Sequence, residues 1–98
     1  EVLLYTIHLC EATRGAPLVE LGVSPRGVLA LTQMAKARAI LRERTYVTPE
    51  DVQYVFVDVC AHRLVLRPQA RIEGVSEKDI LNQILDEVKP PIMTKGSN

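Results

Sequence analysis

Two dipeptides, Ser24-Pro25 and Thr48-Pro49, constrain this chain more than any other feature in it. A hydroxyl residue ahead of a proline caps the orphan N–H groups of a first helical turn. The proline then fills the first helical position, where its fixed φ fits and its missing N–H costs nothing. Glu50 and Asp51 add the acidic first turn that the helix dipole favours. Ser76, with Glu77 and Asp79 behind it, repeats the cap-and-acid pattern. The stops are equally plain at Gly15-Ala16-Pro17 and Pro90-Pro91, where glycine permits a C-cap and proline cannot continue the ladder.

This punctuation predicts an all-α fold, a compact antiparallel bundle of four main helices. The first spans 2–14, with Leu3, Ile7 and Cys10 at helical spacing and Leu4 and Leu9 beside them. Residues 18–23 form a short connector, extended or loosely ordered. The second helix runs from Pro25 to about Glu43, and its apolar residues lie on several sides, as expected of a central helix touched by several neighbours. The third starts at Pro49 and carries the stripe Val52, Val55, Phe56 and Val59, fraying within 62–66. Pro68 to Gly74 reads as a loop. The fourth buries Ile80, Leu81, Ile84, Leu85 and Val88. At 98 residues the chain holds one modest core, so 1–90 is expected to be a single domain and 91–98 a flexible tail, mobile from Thr94. The chain opens on Glu1, already inside a helical pattern, as a piece of a longer protein would.

Composition narrows the function classes. Twelve Lys and Arg balance twelve Asp and Glu, so no global field recruits nucleic acid or a membrane surface. No signal peptide or membrane-length apolar run is visible, which predicts a cytoplasmic protein. Cys10 and Cys60 fall in apolar helical stretches, either as small buried hydrophobes in a reducing compartment or as one interhelical disulfide. There is no G-x-x-x-x-G-K-[ST] phosphate loop and no G-x-G-x-x-G turn. His8 and His62 lack metal-ligand spacing, and Ser24 has no histidine near it. This stretch therefore carries no independent catalysis.

Three constellations remain. Arg26 puts a cation in a first helical turn, against the dipole by roughly 0.3–1 kcal/mol. Two readings fit: the guanidinium and the helix N-terminus together receive an anion such as phosphate, or Arg26 pairs with Glu20 or points into water. Gly27 beside it removes a side chain and would let a ligand or another domain approach. Lys36, Arg38, Arg42 and Arg44 form a basic helix end, either a solvated face suited to the dipole or a surface for a partner or nucleic acid. His62, Arg63, Arg67 and Arg71 form a second cluster, open to a neighbouring subunit or a phosphate, or simply solvated.

In this order, Leu21-Gly22-Val23-Ser24-Pro25-Arg26-Gly27, Ala37-Arg38-Ala39, Arg44-Thr45-Tyr46-Val47-Thr48-Pro49-Glu50-Asp51-Val52, His62-Arg63-Leu64 and Glu73-Gly74-Val75-Ser76 resemble the C-terminal lid of MoxR-type AAA+ ATPases. The resemblance covers residues 1 to about 90. It implies that Ser24-Pro25-Arg26 is a sensor-2 motif whose arginine, Arg26, reaches the terminal phosphates of ATP bound at an upstream large domain. Gly27 departs from the alanine frequent at that position. The resemblance further implies ATP and Mg in the parent protein, a homo-hexameric ring, a von Willebrand factor A-domain partner and chaperone-like remodelling, with no role for nucleic acid or membrane. The competing expectation from the arginine clusters is a standalone helical nucleic-acid-binding or protein-interaction module.

Overall fold

The structure, a computed structural model, describes residues 1–92; the tail expected beyond that point lies outside the described residues. Helix α1 spans Val2–Gly15, strand β1 Val19–Leu21, helix α2 Pro25–Leu41 and helix α3 Pro49–Cys60. A 3-10 turn, Ala61–Arg63, leads to strand β2, Val65–Leu66, then helix α4, Pro68–Glu73, and helix α5, Glu77–Glu87. Helices α2, α3 and α5 start where their caps predict. Ser24 Oγ accepts from the Gly27 N–H, and Thr48 and Ser76 each form a reciprocal capping box with the aspartate three residues on.

Residues 68–74 are not a loop. Pro68 occupies the first position of α4, and Gly74, at φ 73°, ends the helix in the left-handed conformation. Only Ala70 of this helix is buried, too few apolar positions to show a helical stripe in the sequence. The connector before α2 is extended and pairs antiparallel with β2, Val19 opposite Leu66 and Leu21 opposite Val65. The Arg67 N–H donates to the Leu18 carbonyl at 2.8 Å and closes this ribbon.

The core gathers Leu9, Val23, Leu31, Val52, Phe56 and Leu81, all fully buried. The central place expected of α2 belongs to α3, which packs against α2, α5 and α1. Helix α2 buries a single narrow stripe, Gly27, Leu31, Ala35 and Ala39, spaced four apart. Its small residues bring α3 close, while Leu29, Met34, Ile40 and Leu41 are exposed. In α1 the buried face is Tyr5, Leu9 and Cys10, with Leu3 and Leu4 outside. Ile80, Leu81 and Ile84 of α5 are buried as their spacing predicts. Cys10 and Cys60 are free, buried thiols that meet across α1 and α3. The hydrogen bond to Cys10, together with burial, pushes the Cys60 thiol far above its ordinary range.

Candidate lid site at the start of helix α2

Arg26 stands in the first turn of α2, exposed, and no hydrogen bond or ion pair joins it to another described residue. The pairing with Glu20 does not form: Glu20 accepts instead from Arg67 Nη1 at 3.0 Å, a bond between two half-exposed side chains. No acidic residue occupies this turn. A cation therefore sits at the positive end of a 17-residue helix with nothing inside the domain to offset it.

Gly27 serves a different purpose from the one its position suggests. It is buried, and a Cβ there would collide with Val23 Cγ1 and come within 3.2 Å of Arg63 Cδ. The close approach is thus internal: Val23 and the aliphatic stem of Arg63 pack over the first turn of α2. Arg63, expected only as one member of a loose basic cluster, is thereby placed alongside the helix start that carries Arg26.

Much of the side of α2 that carries Arg26 is apolar. At about 100° per residue, Arg26 falls within the arc from Leu29 to Met34 that also holds Ala30, Ala37, Ile40 and Leu41, with Gln33 the one other polar member. Leu29, Met34, Ile40 and Leu41 are 48–83% exposed. The described domain thus leaves these large apolar side chains uncovered on one side of α2, with Arg26 at the N-terminal edge.

The basic half of α2 divides. Arg38 and Arg44 turn inward to the buried carboxylate of Asp51 and are partners in an internal network, not a solvated face. Lys36 and Arg42 remain exposed. Arg38 also stacks over the Tyr54 ring, 4.2 Å from its centroid. The second cluster is similarly dispersed: Arg67 is paired, Arg63 lies over Gly27, and His62 and Arg71 are exposed. Sequence pattern did not reveal Asp51 as the acceptor for two arginines, although its capping-box position was a visible signal.

Comparison with known proteins places this geometry. The AAA lid domain family matches residues 11–84. The chain is 42% identical over 88 residues to YeaC of Bacillus subtilis, an uncharacterized protein, covering 90% of this chain and 28% of that one. It is 40% identical over 73 residues to the chaperone MoxR1 of Mycobacterium tuberculosis, covering 74% and 19%. Against MoxR of Methylorubrum extorquens it is 37% identical over 75 residues, covering 76% and 22%. The chain thus spans about a quarter of the length of these relatives. The crystal structure of a candidate ATPase from Cytophaga hutchinsonii superposes with a TM-score of 0.86 at 33% identity, over 93% of this chain and 30% of that one. The cap, the helix order and the family match agree, and the chain belongs to the AAA lid domain family, as a lid of MoxR type.

Proposed function

We propose that this domain is the moving lid of an ATPase motor. It closes over ATP held by a nucleotide-binding domain, and Arg26 contacts the terminal phosphates. The observation that carries this reading is Arg26 in the first turn of α2, exposed and without any partner among the described residues. A helix N-terminus and a guanidinium are together complementary to phosphate, and the unfavourable placement of Arg26 in the isolated domain becomes favourable once an anion arrives. A charge-assisted contact of about 1.5–3 kcal/mol, made in one nucleotide state only, biases the lid toward that state. The apolar face around Arg26 then lies against the nucleotide-binding domain.

Magnesium, held with the ATP phosphates, belongs to the nucleotide-binding domain in this scheme. The names of the relatives, a chaperone and a candidate ATPase, support hydrolysis coupled to remodelling of partner proteins. A hexameric ring, a von Willebrand factor A-domain partner and a cytoplasmic setting complete the reading; no helix among the described residues is long and apolar enough to cross a membrane. The engagement of Arg38 and Arg44 with Asp51 weighs against a nucleic-acid module, because it takes two cations from the basic surface such binding needs.

The test is Arg26→Ala in the full-length protein. ATP turnover is expected to fall roughly tenfold or more, with the melting temperature of the domain unchanged or slightly raised by relief of the dipole. Unchanged turnover with a large loss of stability would make Arg26 a structural residue.

A further inference from the structure

Helix α1 ends in a clamp on the residue that precedes the Ser24-Pro25-Arg26 turn. Thr13 Oγ1 accepts from the Val23 N–H at 2.9 Å and donates to the Cys10 carbonyl at 2.5 Å. From the next position, Arg14 donates to the Val23 carbonyl through Nε at 3.2 Å and Nη2 at 3.1 Å. Both backbone groups of Val23 are therefore bound to consecutive residues of α1. Its side chain, fully buried, is pinned against Gly27 in the first turn of α2.

The approach is close enough to demand glycine next door. A Cβ on Gly22 would lie 2.7 Å from Arg14 Cγ, 2.8 Å from the Arg14 nitrogen and 2.8 Å from Thr13 Oγ1. Two of these atoms cannot yield easily: one is backbone, and the other belongs to a fully buried threonine. The clamp satisfies both backbone groups of a fully buried residue, and it does so from α1 although Ser24 alone caps α2.

We propose that Thr13 and Arg14 are positioning residues for Arg26. They fix the peptide three residues ahead of it and so set where its guanidinium stands when the lid closes. This rests on the reading of Arg26 as the phosphate contact. The clamp makes α1 and the start of α2 one rigid body, so a force on α1 moves Arg26 directly. Loss of the clamp leaves the domain folded on its core but lets the α2 start shift by fractions of an ångström. A phosphate contact made in the transition state is sensitive to displacements of that size.

The experiment is a double-mutant cycle in the full-length protein, reading kcat and KM for ATP with Arg14→Ala, Arg26→Ala and the pair. Arg14 is exposed, so truncating it opens no core cavity. Arg14→Ala is expected to lower kcat roughly tenfold with KM little changed, and Arg14→Lys, which keeps one donor for the Val23 carbonyl, to recover part of that loss. In the Arg26→Ala background, Arg14→Ala should cost nothing further, since it acts only through Arg26. Losses that multiply in the double variant would overturn the proposal and leave the reading of Arg26 intact. Wild-type turnover in Arg26→Ala alone would overturn that reading and the clamp's role with it. If Arg14→Ala does not fold, Arg14→Lys runs through the same cycle. The expectation is then a partial loss with Arg26 present and none in the Arg26→Ala background; losses in both backgrounds would again overturn it.

Discussion

Arg44 holds Asp51 with both arms of its guanidinium, Nη1 on Oδ2 at 2.6 Å and Nη2 on Oδ1 at 2.7 Å. Arg38 adds a third contact at 2.7 Å, and the Thr48 N–H and hydroxyl supply two more. The carboxylate is wholly inaccessible, whereas the two arginine side chains keep 17% and 22% exposure. A buried charge of this kind is tolerable only because every oxygen is occupied, and no buried side-chain polar atom among the described residues lacks a partner. The network ties the end of α2, the 42–48 turn and the cap of α3 into one joint.

Asp51→Asn is accordingly expected to destabilise the domain by about 2–4 kcal/mol. That is somewhat less than for a fully buried pair, because both arginines can turn toward water. Urea unfolding of the isolated domain or of the parent protein measures it, with a lowered midpoint at constant slope. A change below ~0.5 kcal/mol would show that the joint contributes nothing beyond its geometry.

The same network makes stability sensitive to acid. The Arg44 hydrogen bonds hold the Asp51 carboxyl well below the usual carboxylate range, against the opposing effect of burial and with further help from Thr48 and Arg38. Because the folded-state value lies below the unfolded one, the contribution is complete above the unfolded pKa of ~3.9 and is lost as pH falls through the folded one. Asp79, held down by Ser76, pulls in the same direction from an exposed site. The stability gap between wild type and Asp51→Asn should therefore narrow between about pH 5 and pH 2. A gap of constant size across that range would mean that the charge of Asp51 is not its source.

Gly22 and Gly27 are both close-approach positions, yet their replacement by alanine should differ in what gives way. At Gly22 the obstructing atoms include the Arg14 backbone nitrogen, so Gly22→Ala must break the clamp or displace α1, a cost of about 1–3 kcal/mol. At Gly27 the chief obstruction is Val23 Cγ1, on a fully buried β-branched side chain that has no free rotamer to take, so alanine must displace Val23 and the helix propensity it recovers, roughly 0.5–1 kcal/mol, does not offset that. Both variants are expected to lower the melting temperature in thermal melts, Gly22→Ala by loosening the clamp and Gly27→Ala by repacking Val23.

Arg26→Glu separates fold from function most sharply. Replacing an unpaired cation in the first turn of α2 with an acid should stabilise the isolated domain by about 0.5 kcal/mol through the dipole. The same change in the full-length protein should abolish the phosphate contact and depress ATP turnover beyond the effect of Arg26→Ala. A domain more stable and a motor less active would mark Arg26 as a residue kept for its ligand.

The starts of α2, α3 and α5 were determined by the sequence alone, because capping acts within four residues and needs no tertiary partner: Ser24, Thr48 and Ser76 stand at the N-caps of the helices they precede. The position of Arg26 in a first turn was legible for the same reason, and so was the buried face of α5. The short α4 escaped notice because a six-residue helix with one buried alanine carries no periodic signal. The side of α2 that faces the core was also hidden, since its apolar residues surround the helix and only packing against α3 selects the Gly27-Leu31-Ala35-Ala39 stripe. Above all, the partners of the arginines belong to the tertiary structure. Arg14 reaches nine residues along the chain to Val23, Arg38 thirteen to Asp51, and Arg67 forty-seven back to Glu20. A long guanidinium side chain takes whichever oxygen the fold brings within reach, and that choice decided which cations are spent inside the domain and left Arg26 without a partner among the described residues.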